Sequence, residues 1–114
     1  MDGQSVRENA ERASQIKEGS LVEFMREAQH SNRLLSGMVI KVYKKFFTEY
    51  ATVRIVVGAS GEMPDVPLAS LRRCSKITRP FVFGLLKSAA PRDMSPFSHE
   101  RMLLDTAEAE LSKE

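Results

Sequence analysis

A chain of 114 residues, 42% of them hydrophobic, suffices for one domain around one modest core. No apolar run approaches the roughly 18–20 residues of a membrane-spanning helix, so a soluble protein is expected, and a single cysteine, Cys74, excludes an internal disulfide framework and suits a reducing compartment. Net charge is only +2, but between Arg33 and Arg92 the acids are Glu49, Glu62 and Asp65 alone, against a run of lysines and arginines. A basic middle with acidic ends fits a polyanionic partner better than the total suggests.

Residues 1–15 are polar and read as a tail. Val6, Ala10 and Ala13 fall at near-helical spacing, which suits either a short helix laid on a partner or disorder. The opening Met1-Asp2-Gly3-Gln4 carries no apolar signal core, and with Asp2, Glu8 and Glu11 the segment is too acidic for an obvious mitochondrial presequence, which leaves open one already cleaved. A turn at Lys17–Ser20 leads into a first strand, Leu21 to Arg26, followed by a polar loop over residues 27–33.

The second strand is expected from about Leu34 to Tyr43, with Met38, Ile40 and Val42 on one face and Lys41 and Tyr43 on the other. Gly37 inside it signals a bulge or sharp bend. A third strand, Tyr50 to Val57, points Ala51, Val53, Ile55 and Val57 inward and Thr52 and Arg54 outward. Gly58-Ala59-Ser60-Gly61 is a turn bounded by Pro64. A short strand from Asp65 to Leu68 follows, and the alternation of Phe81, Phe83 and Leu85 predicts a fifth near Thr78 to Leu86.

Beyond Pro91 and Pro96, Ser98 is placed to N-cap a helix reaching about Ser112, with Leu103, Leu104, Ala107 and Leu111 on one stripe. The whole predicts a mainly β protein, an SH3-like small barrel over residues 16–90. An N-terminal tail of residues 1–15 and a C-terminal linker and helix over 91–114 flank it.

Nothing in the chain assembles a catalytic constellation. His30 and His99 are far apart and read as loop and helix-start residues, and one cysteine gives no metal-ligand cluster. Cys74 reads as a small strand-end filler. The Gly58–Gly61 segment spells the GXXG of KH domains, but strands rather than helices flank it, so it reads as a hairpin turn. No enzyme activity, cofactor, metal or small-molecule substrate is expected.

Three anchors recur in order: Gly37-Met38-Val39-Ile40, then Ala51-Thr52-Val53-Arg54, then Val66-Pro67-Leu68-Ala69-Ser70. With their spacing, this stretch resembles the bacterial-type large-subunit ribosomal protein L-nineteen family. That family carries a Gly-Val-Val/Ile strand, a Phe-Thr-Val-Arg strand and a Phe-Pro-Leu-x-Ser turn. Gly19 and Gly61 also fall at the family's glycine positions, and the likeness spans roughly residues 17–78. The family's proline after the turn serine is Leu71 here, and its basic closing segment is replaced by Ile77–Phe83.

The resemblance implies a structural protein of the large ribosomal subunit near the subunit interface, with ribosomal RNA and neighbouring ribosomal proteins as partners. Diluted charge and added tails point to an organelle member, in the mitochondrion. Two basic groups stand out as RNA contacts. One is Lys41, Lys44 and Lys45, interleaved with Tyr43, Phe46, Phe47 and Tyr50, and beside them Arg54 on the outward face. The other is Arg72, Arg73, Lys76 and Arg79, where no acid intervenes and self-repulsion favours a phosphate surface. The alternative is a Tudor- or agenet-like module binding a peptide in an aromatic cage drawn from Tyr43, Phe46, Phe47 and Tyr50. The absence of tryptophan counts against it.

Overall fold

The computed structural model describes residues 16–27, 32–90, 95 and 97–111, so the tail of residues 1–15 and His30 lie outside the described residues. Five strands form one antiparallel sheet: β1 (Leu21–Glu27), β2 (Asn32–Lys45), β3 (Thr48–Val57), β4 (Gly61–Pro67) and β5 (Arg72–Arg73). A 3-10 turn, Leu68–Ser70, separates β4 from β5, and two helices follow, α1 (Arg79–Ala89) and α2 (His99–Glu110). Strands β1 to β4 run as a meander and β5 returns beside β1, giving the order β4-β3-β2-β1-β5.

The sheet is covered on both faces. On one side Ile16, Val22, Phe24, Leu35, Val39, Ala51, Val53, Ile55, Val66, Leu68 and Leu71 share a core. Side chains from β1 and β4 meet there although those strands do not pair, so the sheet curls around this cluster. On the other side Leu21, Met38 and Cys74 pack under Val82, Phe83 and Leu86 of α1 and Leu103, Leu104 and Ala107 of α2. Residues 35–39 of β2 are therefore buried without a break, where a one-sided strand would alternate. At about 1.5–3 kcal/mol for each large apolar side chain taken out of water, the helix-side layer is as indispensable as the curled one.

Three irregularities in the ladder bend the sheet and redirect side chains. Ser36 pairs with Val57 and Gly37 with Ile55, so Val56 is unopposed. This puts Val57 with Val56 on the helix side, not inward with Val53 and Ile55 as the alternation predicts. Val39 pairs with Val53 and Lys41 with Thr52, leaving Ile40 as the extra residue. Ile40 stays with Met38 under the helices, while Val42 crosses to join Val39 in the curled core. The expectation that Met38, Ile40 and Val42 share a face fails for that reason: a bulge inverts the period-two pattern beyond it. The third irregularity, between Ala51 and Val53, falls opposite Pro64 and Asp65 of β4, and Asp65 takes φ 57°.

Gly37 is the point of closest approach. A Cβ there would fall on the Arg54 carbonyl oxygen and 2.9 Å from Ile55 Cα, so only glycine lets β2 lie this close against β3. Gly19 has a different task. Its φ is 92°, its N–H donates to Val39 O at 2.7 Å, and a Cβ would stand 2.6 Å from Thr106 Cβ of α2.

The segment expected to be a fifth strand near Thr78 to Leu86 is helical. Pro80 sits in the first turn, where its missing N–H costs nothing, and Val82, Phe83 and Leu86 supply an i, i+1, i+4 buried stripe. The apparent alternation was coincidental: Phe81 and Leu85 lie on the outer side, 61% and 36% exposed, while Phe83 is buried. The C-terminal helix forms as expected. Ser98 Oγ accepts from the Arg101 N–H at 3.1 Å, and Leu103, Leu104 and Ala107 are buried. Through these residues α2 closes the second core.

Candidate nucleic-acid interface

The eight cations singled out in the sequence divide sharply by surroundings. Arg54 projects from the outward face of β3, but α2 lies over that face. Its guanidinium pairs with Glu100 of α2 and, at 3.5 Å, with Glu62 of β4. Burial works against the Arg54 charge, but these two carboxylates outweigh it and raise the pKa. Arg73 pairs with Glu110, whose side chain is only 5% exposed. Arg72 Nε lies 2.7 Å from Glu23 on the neighbouring β1.

Arg79 is the clearest correction. It is 7% exposed, donating from Nε to Cys74 O at 2.9 Å and from Nη1 to Glu110 O at 3.2 Å. It ties the approach to α1 to the end of α2 and is closed to a phosphate. The run Arg72, Arg73, Lys76 and Arg79 therefore does not require an external polyanion to relieve repulsion. Glu23, Glu110 and main-chain carbonyls answer much of that charge from inside the fold.

The β2–β3 hairpin is different. Lys45 pairs with Thr48 across a two-residue turn made of Phe46 and Phe47, with φ 49° and 71°. Two-residue hairpin turns with positive φ at both positions favour Asn-Gly or Gly-Gly, because a side chain there is strained by about 1–2 kcal/mol. Both phenylalanines are 93% exposed. Lys41, Lys44 and Lys45 flank them and all are exposed.

The base of this hairpin is braced. Tyr43 and Tyr50, opposite each other in the ladder, stack with centroids 6.2 Å apart and planes at 27°. Lys41 Nζ and Lys45 Nζ lie 5.5 and 5.6 Å from the Tyr43 ring centroid. The Tyr43 hydroxyl donates to the Asp65 carboxylate and accepts from the Asp65 N–H at 2.7 Å, while Lys45 Nζ approaches the same carboxylate at 3.0 Å. The Tyr43 hydroxyl, followed by Lys45, holds the Asp65 carboxyl below its ordinary value, and Asp65 in turn raises Lys45.

These contacts also bear on an aromatic cage. The two tyrosines face each other nearly in parallel, and internal lysines lie over the Tyr43 ring. Phe46 and Phe47, almost fully exposed, have too few neighbours to wall a pocket with them.

Two features escaped the sequence reading. Arg26 and Arg33 stand directly opposite on β1 and β2, a like-charge pair that the sequence does not mark because Arg33 falls in the segment expected to be a loop. Arg33 donates to Gly58 O at 3.0 Å. The second is the turn itself: the spacing of Tyr43 and Tyr50 around Phe46-Phe47 was legible, its positive φ was not. Elsewhere, burial and then the Glu23 charge push the Cys74 thiol up to about 12, which fits a packed filler. His99 Nε2 lies 3.2 Å from Ile40 O. Among the described residues no cluster of three or more His, Cys, Asp or Glu is placed to hold a metal, and no helix is long and apolar enough to cross a membrane.

Fold and site together define a mainly β protein, a five-stranded antiparallel sheet backed by two helices, with an aromatic, lysine-flanked hairpin tip. Comparison with known proteins adds no family to that class: no family model, curated protein or solved structure matches the chain.

Proposed function

We propose that this chain is a structural, RNA-binding component of the large ribosomal subunit, similar to the L-nineteen family and built on an SH3-like barrel. The observation that carries this reading is the convergence of the three anchors. Gly37–Ile40, Ala51–Arg54 and Val66–Ser70 lie on or directly after β2, β3 and β4, three neighbouring strands. Gly37 pairs with Ile55 against the Arg54 carbonyl, and Val66 pairs with Ala51. Their fixed spacing thus corresponds to one packed unit. A meander whose last strand returns beside the first, curled around a core, supports the barrel.

The partners on this reading are ribosomal RNA, met by the hairpin lysines, and neighbouring ribosomal proteins, in the mitochondrion. The hairpin replaces the arginine-rich run as the main phosphate contact, because Arg54, Arg73 and Arg79 are committed internally. The geometry gives the peptide-reading alternative no comparable support, since the four aromatic residues do not enclose a common space. Sedimentation of the tagged protein through a ribosome gradient, with sequencing of crosslinked RNA, tests the proposal. Co-migration with the large subunit and crosslinks to its RNA are expected; migration at the top of the gradient with no RNA recovered would refute it.

A further inference from the structure

We infer that the Phe46-Phe47 tip is a stacking platform for unpaired bases, so that the hairpin recognises single-stranded rather than duplex RNA. This rests on the RNA-binding reading above and specifies the form of RNA that the hairpin takes. Its first support is cost. A bulky residue with positive φ is uncommon, and here two stand in succession where Asn-Gly would relax the turn. Both rings are 93% exposed, so nothing within the described fold repays either the backbone strain or the apolar exposure.

Its second support is the arrangement of charge and rigidity. Lys41, Lys44 and Lys45 lie within five residues on the strand leading to the rings, within reach of the phosphates of a strand whose bases stack there. The tyrosine stack and the Tyr43–Asp65 bond hold the stem, so less ordering is left to be done on binding. Duplex bases offer no free faces, whereas unpaired bases in loops and bulges do.

The same tip is less suited to a bilayer. Glu49 is exposed two residues beyond Phe47, opposite Lys44, and sinking the rings to the acyl boundary, about 5–10 Å deep, would drag its carboxylate among the headgroups. Stacking engages the ring faces and leaves Glu49 in water.

The test compares the full chain with Phe46→Asn/Phe47→Gly, a pair that suits the turn and so guards against loss of fold. Three probes are used: a twelve-nucleotide single-stranded RNA, the same sequence as a duplex, and vesicles containing phosphatidylserine. The parent should bind the single strand at least tenfold more tightly than the duplex. The variant should lose about tenfold to a hundredfold of that affinity, following from roughly 1–3 kcal/mol per stacked base. Its melting temperature should stay equal or rise, and its salt slope should not change, because no cation is removed. A variant that binds the single strand like the parent overturns this inference while leaving RNA binding intact. A parent that binds neither RNA overturns both readings. Ring-dependent binding to vesicles without preference for single-stranded RNA overturns it in favour of a membrane surface.

Discussion

The helix-covered side of the sheet and the β2–β3 hairpin carry cations that look alike in the sequence and behave in opposite ways. On the helix-covered side, Arg54, Arg73 and Arg79 hold α2 in place through Glu100, Glu110 and a helix-end carbonyl. At the hairpin, Lys41 and Lys44 stand exposed beside two uncovered rings, and Lys45 joins them half-exposed, paired with the surface carboxylate of Asp65. A basic run is therefore no measure of polyanion binding until its internal acids are known. The acids that answer this one, Glu23 of β1 and Glu110 of α2, lie far from it along the chain.

The comparison is broken most severely by removing α2. Deleting residues 97–114 would uncover Leu21, Met38, Val82 and Phe83 and strip Arg54 and Arg73 of their main carboxylates. We predict loss of a cooperative thermal transition, since the helix carries a large share of the 5–15 kcal/mol typical of such a domain. A truncated chain melting within a few degrees of the parent would show α2 to be an appendage after all.

Next in size is Gly37→Val. A side chain driven into the Arg54 main chain must push β2 from β3, at a cost of about 3 kcal/mol or more. The melting temperature should fall by more than ~10 °C; a smaller shift would mean that the strands separate freely there.

A paired experiment sharpens the contrast. Arg79→Met should cost about 2–4 kcal/mol, because two carbonyls lose their donor in a buried setting, yet leave RNA affinity of the folded protein unchanged. Lys41→Gln/Lys44→Gln should do the reverse: melting within about 0.5 kcal/mol of the parent, with weaker RNA binding. If Arg79→Met weakened RNA binding and the lysine pair did not, the division of the cations would be inverted.

The smallest effect concerns the hairpin brace. Asp65 is held below its ordinary value of 3.8, so its tie to Tyr43 and Lys45 is fully present above that pH and is lost as pH falls through the lower folded value. A carboxyl 13C titration should place the Asp65 midpoint below 3.8, and Tyr43→Phe should move it back up. A midpoint at or above 3.8 would remove the brace.

Much of this was legible in the sequence, and the exceptions share a physical cause. Gly37, the Gly58–Gly61 turn and the Ser98 cap are local signals, and each acts where it was expected. Val42 and Val57 depart from the period-two expectation because the bulge at Ile40 and the unopposed Val56 depend on how neighbouring strands pair. The segment at Phe81–Leu85 fits period two as well as a helical stripe over so few residues, and Pro80 in the first turn is what favours the helix. Arg79 looks like a surface cation in the sequence because Cys74 O and Glu110 O, to which it donates, are backbone atoms that no side-chain pattern announces.

The most direct test of the central claim, that the hairpin rather than the arginine run meets RNA, is the salt dependence of RNA binding by the full chain. Three hairpin lysines on phosphates predict a log–log slope of about −2 to −3, at roughly 0.7–0.9 per contact. A slope of about −6 to −7, as expected if all eight of Lys41, Lys44, Lys45, Arg54, Arg72, Arg73, Lys76 and Arg79 engaged phosphates, would contradict it.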